Sequence, residues 1–534
     1  MRQRSEWIPE QPEPVVEWAV GDLLRAAAAD SPDTIALTEG NGATSPRRWT
    51  YAEVLQESET LARTLLSLFQ PGERLVIWAG SSPEWVLLGW AAALAGLVIV
   101  PANPAFRPAE LEYVVAWSDA AGIVVGPPYH GRELFGTAKS AADAAPAVRH
   151  LLRLGWWARQ PEPSTPASAL PDVRPDDIAV LQFTSGTTGR PKGALLRHRA
   201  IVNTPRFYAL GFGLDSGGVW LNPFPLFHVG GWVCGTLAPA WLRMNQVLPS
   251  RIEPGLLLDL VESERVSCAI FVPTMVLDML NHPDFAAHDL SSLTFINCGS
   301  TAVAPELVRR VEREMGCEFT VAFGQTEASG VITQSVASDS AEDKASTIGR
   351  PLAHAAVRIV DLATGEVAPV GAVGEICVRG YQVMAGYYQM PDATAAAIDS
   401  DGFLHTGDLG TMDARGYLTI AGRIKDMIIR GAENVYPQEV EYRLVEHPAV
   451  VSAAVVGVPD ERLGESVAAV VTFDPALLPP TAKDLVAWCR ETLSTIKVPT
   501  CWYATDRLPM TASSKVQKPA VAEGISRGAY SEIV

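Results

Sequence analysis

A chain of 534 residues, 48% of them hydrophobic and 19% charged, is too long for one ordinary domain and too apolar for disorder, and it points to roughly two to four folded units. Its 60 acidic residues against 42 basic ones give a net charge of −18, which argues against a broad cationic surface and against nucleic acid as a partner. The seven cysteines, Cys234, Cys268, Cys298, Cys317, Cys377, Cys489 and Cys501, are odd in number and contain no C-x-x-C pair, so reduced thiols in a cytoplasm are expected, with no disulfide framework or zinc site.

The opening segment MRQRSEWIPEQPEP carries acids and prolines where a secretory peptide has an apolar core, so no targeting segment is expected. Thr50 and Glu53 read as a capping box for a helix whose Val54, Leu61, Leu65 and Leu68 share one face, followed by a strand from Leu75 to Trp78. The apolar run from Trp85 to Val100 is shorter than the roughly 20 residues of a bilayer span. It parses as a helix capped by Ser82 with Pro83 in its first turn, ended by Gly96, and then a buried strand from Leu97 to Val100. Arg159 to Pro175 is a proline-rich surface connection, Ile178 to Phe183 an apolar strand, and Ser335 to Lys344 a polar loop. No internal repeat is visible. After about Gly422 the texture changes to short strands (Val450 to Val456, Ser466 to Phe473) and helices near Pro437 to Val445 and Thr481 to Leu493. The fold expected is α/β, with a large N-terminal domain (1–424) of mostly parallel sheets layered with helices and a small mobile α+β domain (425–534) of roughly 110 residues.

The strongest chemical signal is TSGTTGRPKG, Thr184 to Gly193, directly after the apolar strand. Glycines let backbone N–H groups approach an anion, hydroxyls add donors and Lys192 adds charge, so the segment suits phosphates. It is not a Walker A loop, because Lys192 precedes Gly193 and follows Pro191. A Gly/Ser/Thr cluster in isolation reads equally as a surface loop.

This decapeptide resembles the phosphate loop of the acyl-adenylate-forming superfamily, which includes acyl-CoA synthetases, firefly luciferase and peptide synthetase adenylation domains. Further motifs follow in the same order: PLFHVGG (Pro225 to Gly231), FGQTE (Phe323 to Glu327), IGRP, GEICVRG, HTGDLG (His405 to Gly410), GRIKDMI (Gly422 to Ile428), GAENVYPQEVE (Gly431 to Glu441) and PMTASSKVQK (Pro509 to Lys518). The resemblance spans about Leu23 to Lys518.

The resemblance implies a site for attack of a carboxylate on the α-phosphorus of ATP, where two anions meet and positive charge, a metal and tight positioning are needed. It assigns the phosphates to Thr184, Ser185, Gly186, Thr188, Gly189 and Lys192, and Mg²⁺ to Glu327 with Thr187. Thr326 is implied at the α-phosphate and Phe323 on the adenine, with Gly299, Ser300 and Thr301 along it, and Gly324 and Gln325 among the nucleotide-binding residues. Ala302 stands where the family commonly has proline. Asp408 is implied at the ribose hydroxyls with Arg423 as partner, a task suited to two acceptor oxygens. Read alone, Glu327 fits a buried salt bridge and the T-G-D of Asp408 a simple turn.

Lys515, in a polar tail segment where a solvated lysine is the ordinary meaning, matches the family's catalytic lysine, with Ser514 in place of the usual glycine. A lysine so far along the chain implies a hinge, and Lys425 occupies the family's hinge position. Gly431 and Ala432 match the passage for the pantetheine arm of coenzyme A, where G-G-E-N is common in the family; a tight turn before Pro437 is the plainer alternative. His228 is implied as a gate to the acid pocket, lined by the segments around Phe227 to Gly235, Phe271 to Thr274 and Cys298 to Ala302. Those segments hold Trp232 and no arginine or lysine, which favours an apolar monocarboxylic acid: fatty, aryl or alicyclic.

The function implied is an ATP-dependent acyl-CoA ligase (an AMP-forming acid-thiol ligase) using ATP, Mg²⁺ and coenzyme A on a small-molecule carboxylic acid, as a cytoplasmic monomer or homodimer without a transmembrane segment. An adenylating enzyme that delivers the acyl group to an amine, an alcohol or a carrier-protein thiol is the alternative, and a noncatalytic relative the third. A hydrolase is disfavoured by the lack of a G-x-S-x-G elbow, and a dehydrogenase by the lack of a G-x-G-x-x-G helix start.

Overall fold

The computed structural model describes residues 3–8, 13–43, 45–159, 169–184, 191–214, 216–299, 303, 305–431, 433–460, 462–510 and 516–534. Its backbone contacts divide into two compact units, one of Trp7–Val357 with Val378–His405, the other of Met1–Glu6, Arg358–Cys377 and Thr406–Val534.

The first unit is built on two sheets whose central strands run parallel. In the seven-stranded sheet, strands Arg74–Trp78, Val98–Ala102, Ala120–Val125 and His150–Arg153 alternate with helices Pro83–Leu94, Pro108–Trp117 and Phe135–Ala144. Parallel neighbours need crossovers, and helices supply them. Strand Ile178–Thr184 follows, paired antiparallel with Lys192–Arg197, and the edge strand Gly386–Tyr387 pairs antiparallel with that in turn. In the nine-stranded sheet, strands Asn245–Pro249, Cys268–Phe271, Phe295–Gly299 and Glu318–Phe323 alternate with helices Pro254–Ser263, Pro273–Leu280 and Pro305–Glu314. Most of these helices carry proline in the first turn, where a missing N–H costs nothing.

The expected caps are present. Thr50 Oγ1 accepts from the Glu53 N–H and Glu53 returns a bond to the Thr50 N–H, opening helix Tyr51–Leu66 with Val54, Leu61 and Leu65 buried. Leu68 lies just past the helix and is half-buried. Ser82 caps the next helix by accepting from the Trp85 N–H. On strands of the nine-stranded sheet, Phe271, Phe295 and Phe319 are almost wholly removed from water, each contributing roughly 1.5–3 kcal/mol by burial.

The expected loop from Ser335 to Lys344 is corrected, because a short helix, Ala341–Ser346, forms there. Ser340 caps it through the Asp343 N–H, and Lys344 is buried in an ion pair with Glu318, so a polar composition conceals a structured turn.

In the second unit, strands Leu404–Met412 and Leu418–Arg423 belong to a five-stranded sheet, and a six-stranded sheet follows along the chain. The two strands expected at Val450 and Ser466 are longer than the sequence indicates and form one antiparallel hairpin, Val450–Asp460 with Gly464–Phe473. Helices Pro437–Val445 and Ala482–Arg490, the latter capped by Thr481, match expectation. None of the seven cysteines is in a disulfide; six are buried and Cys501 is half-buried. No helix among the described residues is long and apolar enough to cross a membrane.

Candidate active site

Parallel strands deliver the expected residues to the edge where such sheets bind ligands, beyond the strands' carboxyl ends. Thr184 ends Ile178–Thr184, Gly299 ends Phe295–Gly299, and Phe323 ends Glu318–Phe323, with Gly324 and Gln325 directly after it. Gly299 needs its lack of a side chain, since a Cβ there would meet the Ala322 carbonyl oxygen at 2.7 Å. Thr326 and Glu327 lie in the 3-10 turn Thr326–Ala328, closed by Ser329 at a φ of +54° and by the Gly330 N–H donating to the Gln325 carbonyl at 3.1 Å.

Thr184 faces Lys192 in the antiparallel register that brackets the phosphate loop. Ser185, Gly186, Thr187, Thr188 and Gly189 lie outside the described residues, as do Ser300, Thr301, Ala432 and Lys515. The bracketing strands are themselves tied in place. The Thr184 hydroxyl lies 3.4 Å from the Lys192 carbonyl oxygen, and the Gln182 amide donates to the Phe227 carbonyl at 3.1 Å, tying the strand to the segment of the expected acid pocket.

Lys192 and Glu327 both converge on Tyr387, a residue that the sequence reading did not single out. The Tyr387 hydroxyl donates to Glu327 Oε1 at 2.8 Å, and Lys192 Nζ lies 4.9 Å from the centre of the Tyr387 ring. Burial, with the Glu327 charge beside it, raises the pKa of the Tyr387 phenol, so it remains a donor at any working pH. Among the described residues this is the one hydrogen bond to the Glu327 carboxylate. An oxygen donor with one atom so engaged fits a hard divalent cation on the other. The only sequence signal for Tyr387 was the aromatic pair Tyr387-Tyr388 after Gly386.

The segment expected to line the acid pocket takes an unexpected form: Gly230–Leu237 is a π-helix, a rare conformation. Its glycines are explained by packing. A Cβ on Gly231 would sit 2.2 Å from the Pro225 carbonyl oxygen, and one on Gly235 the same distance from the Asn222 amide oxygen. The Asn222 amide and the Thr236 hydroxyl both donate to the Gly231 carbonyl at 3.1 Å. Trp232 is buried against Trp85 and Trp90, with ring centroids 5.3 and 5.6 Å away, and its ring lies over Gly89. His228, half-buried, precedes the helix and accepts from the Gly230 N–H at 3.3 Å through Nδ1.

In the second unit, Asp408 and Arg423 face each other across the antiparallel pair Leu404–Met412 and Leu418–Arg423. Arg423 Nε stands 2.9 Å from Asp408 Oδ1, the carboxylate buried and the guanidinium exposed. The Asp408 N–H donates to Thr406 Oγ1 at 3.1 Å, and Gly407 adopts a φ of +73° between them. Lys425 lies in the 3-10 turn Ile424–Asp426. Partial burial lowers its pKa, Arg423 and Lys518 act in the same direction, and Asp426 and Asp408 oppose. Gly431 takes a φ of +59° at the turn of hairpin Ile428–Arg430 with Glu433–Val435, and its N–H donates to the Leu463 carbonyl at 2.8 Å.

Comparison with known proteins places the chain in a family. The family described as AMP-binding enzyme matches residues 24–388, and the AMP-binding enzyme C-terminal domain matches residues 439–515. The chain is 36% identical over 540 residues to the putative acyl-CoA synthetase YngI of Bacillus subtilis, covering 95% of this chain and 97% of that protein. It is 33% identical over 548 residues to the mitochondrial medium-chain acyl-CoA ligase ACSF2 of Macaca fascicularis, covering 95% and 87% respectively. The solved structure of the anthranilate CoA ligase AuaEII in complex with anthranoyl-AMP superposes with a TM-score of 0.85 at 25% identity, covering 97% of this chain and 98% of that one. The chain belongs to the AMP-binding enzyme family.

Proposed function

We propose that the chain is an ATP-dependent acyl-CoA ligase that works in two half-reactions. A carboxylate oxygen attacks the α-phosphorus of ATP and the bond to pyrophosphate breaks, leaving an acyl-adenylate. The thiol of coenzyme A then attacks the acyl carbonyl, and AMP leaves with the carboxylate oxygen that had bridged to phosphorus. The observation that carries this reading is the convergence of Lys192 and Glu327 on one tyrosine at the carboxyl ends of the parallel strands.

In this reading Thr184, Ser185, Gly186, Thr188, Gly189 and Lys192 bind the phosphates, and Phe323 packs on the adenine. Thr326 touches the α-phosphate, and Asp408, held by Arg423, accepts from the ribose hydroxyls. Glu327, with Thr187, would hold Mg²⁺, which supplies charge neutralisation on the phosphates. Lys515 stabilises the transferring phosphoryl charge in the first half-reaction. Gly431 and Ala432 line the pantetheine passage in the second, with Lys425 as the hinge between the two uses of the 425–534 domain. The acid is an apolar monocarboxylate: the pocket segment around His228 presents the buried Trp232, and the matched ACSF2 is named for medium-chain acids. ATP–pyrophosphate exchange screened over a panel of carboxylic acids, with product mass read after coenzyme A is added, tests the reading. A thioester of an apolar acid is the expected product, and an adenylate never converted to thioester would transfer the function to an amide- or ester-forming enzyme.

A further inference from the structure

We propose that Tyr387 is a positioning residue that couples the phosphate-loop lysine to the metal carboxylate, its hydroxyl fixing one oxygen of Glu327 while its ring face seats Lys192. The proposal rests on the reading of Glu327 as the Mg²⁺ ligand.

The segment Met384–Gln389 is built to hold that geometry. The Ala385 N–H donates to the Leu195 carbonyl and the Tyr388 N–H to the Gly193 carbonyl, both at 2.8 Å, so this edge clamps the strand that leaves the phosphate loop. The Met384 N–H donates to the Glu327 carbonyl at 2.8 Å. Both the backbone and the side chain of Glu327 are therefore held from one short segment. Successive side chains on an extended strand point to opposite faces. Tyr388 accordingly turns away from Glu327, its hydroxyl donating to Asp119 Oδ2 at 2.9 Å, while Tyr387 turns toward it. The Tyr387 N–H is itself fixed on Thr394 Oγ1 at 2.9 Å.

The chemistry follows from the inventory of the two partners. A carboxylate has two oxygens, and a hydrogen bond that occupies Oε1 orients Oε2 for a cation; such supporting bonds commonly change metal affinity about 10–100-fold. A lysine carries a compact charge on a flexible stem, and an aromatic face beneath it restricts where that charge sits. Phenylalanine at 387 keeps the face and loses the hydroxyl, whereas leucine loses both, so the two functions separate.

The test measures Mn²⁺ binding to the enzyme–ATP complex by electron paramagnetic resonance, together with ATP affinity in the absence of divalent metal, for wild type, Y387F, Y387L and E327Q. Y387F is expected to weaken Mn²⁺ about tenfold with metal-free ATP affinity within about twofold of wild type, and excess Mg²⁺ should restore its kcat. Y387L is expected to lose metal affinity equally and also to weaken metal-free ATP binding about threefold, because Lys192 loses its seat. In the E327Q background, Y387F should add little to the metal defect, as expected for residues acting on one ligand. If E327Q binds Mn²⁺ normally, the metal reading of Glu327 fails and takes the proposal with it. If E327Q weakens Mn²⁺ but Y387F does not, or if saturating Mg²⁺ leaves the Y387F kcat low, the role given to Tyr387 is wrong while Glu327 keeps its own.

Discussion

Arg423 Nε stands 2.9 Å from Asp408 Oδ1, each residue holding the other's place across two antiparallel strands. The pairing fixes one oxygen of a buried carboxylate, the group that the proposed function places at the ribose hydroxyls. Asp408→Ala is expected to raise the KM for ATP about tenfold or more, the scale of one or two charge-assisted hydrogen bonds. It should also remove the preference for ATP over 2′-deoxy-ATP. Steady-state pyrophosphate exchange with both nucleotides checks this, and an undiminished preference in the variant would take Asp408 away from the ribose.

Lys515 and Ala432 are expected to separate the half-reactions. Lys515→Ala should slow adenylation by about 10²-fold or more, as loss of a charge aimed at the reacting phosphate does, yet still turn supplied acyl-adenylate into thioester. Ala432→Leu should do the reverse, with near-normal pyrophosphate exchange and thioester formation reduced about tenfold, or roughly 1.4 kcal/mol. Single-turnover assays of each step make the comparison; equal losses in both steps for either variant would contradict the two-face scheme.

His198 sets an acid limit on stability. It is fully buried at the start of helix His198–Leu210, its Nδ1 accepts from the Val20 N–H at 3.2 Å, and its Nε2 has no partner among the described residues. Burial pushes its pKa down to about 4, against opposition from the Asp177 charge. The unfolded chain thus takes the proton first, near pH 6.5, and stability present above that value is lost as pH falls toward 4. The loss should reach roughly 2 kcal/mol at pH 5 and about 3 kcal/mol in full. Urea unfolding of wild type and His198→Gln at pH 7.5 and pH 5 measures it, and an equal pH dependence in the two proteins would remove His198 as the cause.

The cysteines give a simple labelling pattern. Burial pushes the thiols of Cys234 and Cys317 up to about 12 and that of Cys489 up to about 11, whereas Cys501 alone is half-buried. Brief treatment of native enzyme with iodoacetamide should modify Cys501 first and leave activity unchanged, as peptide mass mapping would show. Early modification of Cys234, on the π-helix, would mean that this helix opens far more readily than its packing implies.

Much of this was legible in the sequence wherever the signal is local. The Thr50–Glu53 box, the Ser82 cap and the helix Pro437–Val445 are written within a few residues of each other, and the structure returns them. The Asp408–Arg423 pair was indicated by two motifs, though only strand register shows that they face each other. Tyr387 was not legible, because its role depends on an edge strand pairing with residues nearly two hundred positions earlier, and nothing in G-Y-Y announces that partner. The π-helix was hidden for a similar reason: its glycines answer to Pro225 and Asn222 packed against them. The Ala341–Ser346 helix was missed because a composition rich in Asp, Ser and Glu reads as loop until Lys344 finds Glu318.

The most direct measurement follows the carboxylate oxygens. An acid that supports pyrophosphate exchange, labelled with oxygen-18 in both carboxyl positions, is incubated with ATP, Mg²⁺ and coenzyme A, and the products are weighed by mass spectrometry. AMP is expected to carry one labelled oxygen and the acyl-CoA thioester the other, because the carboxylate attacks the α-phosphorus and the thiol then displaces AMP. Unlabelled AMP, or label in inorganic phosphate, would contradict an acyl-adenylate on the path to the thioester.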